Sequence, residues 1–391
     1  MKILKNKWLL LAPIIAILVM SLLSLTQIPS AKQGPKNLPI ALVNEDTGVE
    51  IPNQGHANMG ETIAANLEAS TKKTEGNEDP AVKWISVSSA EKAMDGMDNQ
   101  QYFGAIVIPK DFSQKQASLQ TPNPSAPVIQ AYVNQGMNQI AANAVTQILN
   151  GAADAINEKA SAHLVEGLKK QNAVLTADQA ALIASPISKE IHNVHETGTQ
   201  GNAPASLFQP LWMGSISAAL ILWNAMKKKR HNKATILAVQ VLTAAAAAIL
   251  VGFGLAWLAG SMLGFDIPAF TDTALFLALA CFTFILMILA VLSWIGLAGM
   301  PIFILLLFFG GPLLAMAPEF MPVFYQDWIF SWLPMRFMTD GLRDLFFFSK
   351  EWNWNHPTAV LTCVAIGGVI VLALSLFKKK PETETIAQDT L

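Results

Sequence analysis

Charge is scarce in this chain of 391 residues: only 14% are Asp, Glu, Lys or Arg, against 52% apolar, and the mean hydropathy is +0.38. A composition so poor in charge excludes a solvated, disordered polymer. Cysteine is almost absent. The two that occur, Cys281 and Cys363, both lie inside apolar runs, which excludes a disulfide framework in the more polar part of the chain. Arginine is missing altogether between Thr26 and Ser206, where 12 lysines face 18 acids. That mildly acidic segment offers no basic face to nucleic acid. No GxxxxGK[ST] sequence is present, so the use of ATP requires another polypeptide. Nor is there a charged residue at the centre of any long apolar run, where one costs ~2.5–3.5 kcal/mol and marks an ion or proton path. Ion-coupled carriage is disfavoured accordingly.

What the chain does have is long apolar runs. Trp8 to Leu25, preceded by Lys2, Lys5 and Lys7, reaches roughly 27 Å as a helix, enough to span a bilayer. A cleaved signal peptide is the alternative, but the run exceeds the usual core of ~7–15 residues and an uncleaved anchor is preferred. Five more runs follow: Leu207–Met226, Thr235–Leu263, Ala274–Ile295, Ile302–Met316 and Pro357–Phe377. Lys227, Lys228, Lys229 and Arg230 close the second run, and Lys378, Lys379 and Lys380 close the last. By the positive-inside rule both clusters face the cytoplasm. Six spans, both termini inside and residues 26–206 outside follow from this count. A cysteine-free outer domain suits a bacterial cell membrane.

Within 26–206, strands are expected at Pro39–Val43, Lys83–Val87, Tyr102–Ile108 and Ala126–Val133, and helices at Met59–Ala69 and Ser89–Met97. Alternating strands and helices predict a small α/β domain with a central sheet. An alanine-rich helix, Asn138–Lys170, and a further helix, Thr176–Ile187, read as a stalk packed on that domain rather than as a ligand site. Asn193 lies between His192 and His195, which would share a face if Glu190–Glu196 were helical. No third ligand is fixed, so a solvated helix end is preferred to a metal site. Gly260 and Gly264 form a GxxxG pair, and Gly252, Gly254 and the alanines 244–248 make the third run a close-packing helix, expected to pack within the chain.

The stretch from Met300 to Phe348 is unlike the rest. It begins as an apolar run, is expected to break at Gly310-Gly311-Pro312, and then delivers Arg336, Thr339, Asp340, Arg343 and Asp344 at spacings of three and four. Those residues share one helix face, opposite Met338, Leu342 and Leu345. Such a helix is too polar to cross hydrocarbon and is expected at the outer interface or re-entering the membrane. Arg336, Asp340, Arg343 and Asp344 are the candidate outer gate. Nothing in the chain is spaced as a nucleophile, carboxylate pair or metal cluster, so no enzyme, cofactor or resident metal is expected.

Three separated stretches resemble the YhgE/Pip (phage infection protein) membrane proteins, a branch of the type-2 ABC exporter permeases. They are Ala41-Leu42-Val43-Asn44-Glu45-Asp46-Thr47-Gly48; Tyr102 to Ser113 followed by Tyr132-Val133-Asn134-Gln135 and Asn138; and Trp332-Leu333-Pro334-Met335 with Gly341-Leu342-Arg343. The resemblance covers nearly the whole chain. It implies a polytopic α-helical protein: residues 1–25 as N-terminus and first span, 26–206 as an extracytoplasmic α/β domain with its helical stalk, 207–377 as a five-helix permease-like domain with the outer helix between spans five and six, and 378–391 as a cytoplasmic tail. It implies further a homodimer, or a heterodimer with a related permease, driven by a separate ABC ATPase subunit. Lys227, Lys228, Lys229 and Arg230 are the candidate inner contact for that subunit. The expected function is export of a hydrophobic or envelope-related substrate. The alternative is a surface or secretion-accessory protein, phage-receptor-like, whose outer domain binds a partner.

Overall fold

The computed structural model describes residues 7–31, 34–51, 55–70, 79–119, 121, 124–171, 176–226 and 232–378. It divides into two compact units: an α/β unit, Pro29–Asn202 with Ala315–Asp327, and a helical unit, Met1–Ile28, Ala203–Leu314 and Trp328–Leu391.

Helix α1 (Lys7–Leu25) and the single turn α2 (Ile28–Ala31) precede the α/β unit. Its sheet holds β1 (Leu38–Asn44), β4 (Val82–Val87), β5 (Gly104–Ile108), β6 (Val128–Asn134) and β7 (Ser188–Val194) in the order β4-β1-β5-β6-β7, while β2 (Val49–Ile51) and β3 (Gly55–Ala57) make a separate ribbon. Only β5 and β6 run antiparallel; the other neighbours in the sheet are parallel. Strand β1 is a nearly continuous apolar run because it is covered on both faces. Ala41, Val43, Ala105 and Val107 pack on Ala93 and Met97 of α4 (Ala90–Asp98). Ile40, Leu42, Ile106 and Ile108 point the other way and are equally buried. On that side lie α3 (Met59–Ser70), α5 (Phe112–Ser118) and the long α6 (Gln139–Gln171), with α7 (Ala177–Ala184) packed on α6 through Ile183 and Leu164.

The turn after β1 fixes the start of three helices. Glu45 Oε1 accepts from Ala90 N, the first residue of α4, at 3.0 Å. Asp46 Oδ2 accepts from Gly60 N of α3 at 3.0 Å, and its Oδ1 from Ser113 N of α5 at 3.0 Å and Gly48 N at 3.2 Å; its carboxylate also takes the Ser113 hydroxyl. First-turn N–H groups have no partner inside their own helix, and carboxylates satisfy them best. Gly48 sits at φ +73, and a Cβ there would stand 2.5 Å from the His56 ring, so the turn needs glycine. Asn138 opens α6 by accepting from Ile140 N and Ala141 N. Asn134, fully buried, donates to Met97 O and Tyr102 O.

One expectation here is corrected. Residues 188–194 are not a helix end but strand β7, paired in parallel with β6. His192 therefore stacks on Tyr132 with centroids 5.3 Å apart, whereas His195, at φ +50, meets Asp98 Oδ1 at 3.1 Å and Asn134 Oδ1 at 3.1 Å. Among the described residues no cluster of three potential metal ligands exists.

The helical unit continues with α8 (Ala203–Ser206), α9 (Phe208–Met226), α10 (Lys233–Ser261) and α11 (Phe270–Ile295). A 3-10 turn, Gly296–Gly299, leads into α12 (Met300–Leu314). After α13 (Val323–Trp328), counted with the α/β unit up to Asp327, come α14 (Pro334–Phe347) and α15 (His356–Ser375). A helix lies on each of the six expected apolar ranges, four of them stopping one or two residues short at an end. Four stretches, Ala203–Met226, Lys233–Ser261, Phe270–Leu314 and His356–Ser375, are long and apolar enough to cross a membrane by length and composition, and within α1 Pro13–Leu25 is a shorter apolar helix.

Helix α11 is the centre of this unit. Its Thr283 hydroxyl donates to Leu361 O of α15 at 3.1 Å, and Phe284 lies edge-on to Trp212 of α9, whose indole N–H reaches Phe303 O of α12. Where α10 meets α11, Gly252 allows backbone contact: a Cβ there would stand 2.5 Å from Ala274 O. The close-packing glycine is thus Gly252, not the GxxxG pair, since Gly264 lies past the end of α10 and a Cβ on Gly260 would find only 3.9 Å contacts. A second correction concerns Gly310-Gly311-Pro312, where α12 runs on unbroken to Leu314. Pro312 falls in its last turns, and Gly310 lies against the Phe208 ring, so packing offsets the weak local propensity.

Candidate functional site

Helix α14 carries four charged residues, Arg336, Asp340, Arg343 and Asp344, more than any other helix in the described part of the helical unit. It starts with Pro334 at its first position and carries one apolar face, Met338, Leu342 and Leu345, which is buried as the spacing predicts. The other face is covered as well: Thr339 and Asp344 are buried, and the Arg343 side chain is only 13% exposed. Gly341 admits the Phe276 ring of α11 so closely that a Cβ would stand 2.2 Å from it. The helix is therefore wedged among its neighbours and is not laid across the outside of the unit.

The four candidate gate residues fall into two groups. Asp340 bridges both arginines, with Arg336 Nε at 3.3 Å from one oxygen and Arg343 Nη1 at 3.2 Å from the other. Arg336 also lies over the Phe330 ring at 4.7 Å, a cation–π contact. Arg343 Nη2 donates to Leu314 O, the last residue of α12, at 3.1 Å, where a cation complements the helix C-terminus. Its Nε is buried with no hydrogen-bond partner among the described residues. Burial pushes the Asp340 carboxyl above its ordinary range against the pull of Arg343 and Arg336, and lowers the Arg343 guanidinium against the pull of Asp340.

Asp344 belongs elsewhere. Its carboxylate takes Lys350 Nζ at 3.0 Å and Asn355 Nδ2 at 3.4 Å, and Asn355 in turn caps α15 through Thr358 N. Lys350, Asn355 and Asp272, which accepts from Trp352 N at 3.0 Å, complete a polar rim that sequence spacing does not reveal, because Asp272 comes from α11 and the other two from the loop between α14 and α15. Trp354 of the loop that holds this rim stands exposed, as do Trp328 and Trp332 just before α14, as indoles do at a membrane–water boundary. The candidate inner contact, Lys227, Lys228, Lys229 and Arg230, lies outside the described residues.

Exposed leucines and isoleucines on the apolar helices, such as Leu242, Leu250 and Ile221, complete the picture. The helices fit a multi-pass membrane protein, with an α/β unit inserted after the first of them and a charged helix between the last two. The chain belongs to the DUF3533 family, a family of proteins of unknown function, whose profile matches residues 10–363. No curated protein matches the chain. Among solved structures it is similar to a domain attributed to an ABC type-2 transporter from Thermotoga maritima MSB8, at 17% identity and a TM-score of 0.27 over 40% of this chain and 84% of that one. A likeness that distant carries no argument about activity or fold here.

Proposed function

We propose that this chain is the permease subunit of a type-2 ABC exporter of the YhgE/Pip kind, moving a hydrophobic or envelope-related substrate outward. In this reading it has six spans, both termini in the cytoplasm of a bacterial cell and the α/β unit outside. It works as a homodimer, or with a related permease, and catalyses no reaction itself. ATP hydrolysis comes from a separate subunit that docks near Lys227, Lys228, Lys229 and Arg230.

The observation that carries the reading is α14. A helix bearing an Arg336–Asp340–Arg343 cluster is held by α12 through Leu314 O and by the start of α15 through Asp344 and Asn355. Charges so placed can break and re-form when neighbouring helices shift, which is what an outer gate requires. Arg336→Glu sets an acid against Asp340 and is expected to lower export at least ten-fold while the protein still inserts. Adding Asp340→Arg restores the pair and part of the activity. Wild-type export in the single variant removes the gate role, and export that persists in cells lacking every candidate ATPase removes the ABC reading. Topology is checked separately in a Cys363→Ser background: cysteine at Thr176 reacts with an impermeant thiol reagent in intact cells and cysteine at Lys229 does not. The reverse pattern overturns the orientation.

A further inference from the structure

The α/β unit contains a cavity of about 630 Å³ between α3, the edge strand β4 and α6. Its origin is readable in the residues. Register pairs Trp84 with Ile40, which puts the indole on the α6 side of the sheet. Across from it, α6 presents Ile148, Ala152, Ile156, Lys159 and His163 at spacings of three and four, a single helix face. Alanine at 152, and again at 155 and 160, leaves the wall hollow where larger side chains would fill it. Leu67 and Ile187 close the apolar part.

The charge of the lining is the second observation. The surrounding segment has 18 acids and 12 lysines, yet among the described residues the cavity is lined by one lysine, Lys159, one histidine, His163, and no acid. The two stand one turn apart on α6, at the exposed positions of its face. Gln116 of α5 adds an amide whose Oε1 is buried with no hydrogen-bond partner among the described residues. An apolar recess with basic groups at one edge complements a molecule with a long apolar body and a single anionic end. Size selects among such molecules. A methylene takes about the volume of a liquid water, roughly 30 Å³, so a chain of about sixteen carbons fills roughly 500 Å³ and a two-chain lipid does not fit.

We infer that this cavity is a binding site for a single-chain anionic amphiphile of the long-chain fatty acid class, its chain against Trp84, Ile148 and Ile156 and its carboxylate at Lys159 and His163. The site stands whether or not the chain is coupled to an ATPase. The test uses the full chain in nanodiscs of zwitterionic lipid, with a palmitate analogue carrying a photoactivatable group near the chain end, and mass-spectrometric mapping of the adducts. Adducts are expected within residues 148–163, competed by unlabelled palmitate and at least ten-fold weaker with the alcohol of the same chain. Ala152→Trp, which fills the recess, abolishes them. Because that variant can disturb packing, Lys159→Gln with His163→Gln is measured beside it; both positions are exposed, and the double variant is expected to lower capture at least ten-fold with an unchanged protease pattern. Adducts confined to the apolar helices, equal capture of acid and alcohol, or undiminished capture in the double variant each overturn the site.

Discussion

In the α/β unit polar side chains serve the ends of helices, one carboxylate satisfying the first-turn N–H groups of two of them, whereas in the helical unit they are concentrated on α14 and the rim beside it. Asp46 alone joins α3, α5 and the Gly48 turn, and Glu45 reaches α4. Among the described residues no carboxylate does the same along α9, α10 or α11, whose seams hold closely packed glycine and aromatic rings. The lesson concerns what a motif means. The Asn44-Glu45-Asp46 sequence, prominent in the family resemblance, is scaffolding that orients three helices, while the charged residues of α14 pair chiefly with one another and with the rim, Arg343 also reaching the end of α12.

That contrast can be broken first at Asp46. Asp46→Ala leaves N–H groups of two helices and the Ser113 hydroxyl without their acceptor, and should destabilise the α/β unit by about 3 kcal/mol. Hydrogen exchange in α3 and α5 of the full chain reads the loss directly, and Asp46→Asn, which keeps acceptor oxygen, should lose about half as much. Unchanged protection in both would make the cap network ornamental.

The helical unit offers the next largest effect. Gly252→Ile places side-chain atoms where Ala274 O and the Ala278 backbone already sit, and overpacking of that kind costs about 1–3 kcal/mol. Gly254→Ala, two residues on, meets nothing within 4 Å and should be neutral or slightly stabilising, since alanine exceeds glycine in helix propensity by about 1 kcal/mol. Thermal unfolding of the two variants in the same membrane mimetic decides it. Equal midpoints would mean that α10 and α11 separate readily at this seam.

Much of the architecture was legible in the residues. Strands β1, β4, β5 and β6 and helices α3, α4 and α6 lie where alternation and helical spacing put them, and the six apolar ranges are all helical. Strand β7 was not legible. Ser188 to Val194 is polar and mostly exposed, so its strand character comes from pairing with β6 and from no pattern of its own. The course of α12 through Gly310-Gly311-Pro312 was hidden for a related reason: Phe208, 102 positions earlier in sequence, supplies the ring that Gly310 accepts. At α14 the apolar and charged faces were readable. That Asp344 pairs with Lys350 and Asn355 was not, because those partners lie beyond the helix and obey no period. The hollow beside α6 escaped for the opposite reason, since alanines in a long helix look like good packing until a sheet edge stands across from them.

The smallest effects sharpen the comparison most, because they set two ion pairs side by side. Lys189 and Asp154 in the α/β unit approach to 2.7 Å, closer than either arginine of α14 comes to Asp340, but Asp154 is 68% exposed. A pair that water and salt can screen contributes ~0–1 kcal/mol whatever its length. Arg343 is 13% exposed, donates to both Asp340 and Leu314 O, and when it is removed Leu314 O and one oxygen of Asp340 lose that donor while Arg336 still serves the other oxygen. Arg343→Met, which keeps the side-chain volume, should therefore cost about 1–2 kcal/mol, the range for leaving a buried acceptor without its donor. Asp154→Asn should stay within about 0.5 kcal/mol of wild type, as expected for a surface change away from caps and core. The difference should persist in 1 M salt, where the α/β pair is fully screened and the α14 cluster, shielded by Phe330 and its neighbours, is not. If Arg343→Met proves as mild as Asp154→Asn, then α14 is held by its apolar face alone. Its charges would then be available to a moving gate at no cost to stability.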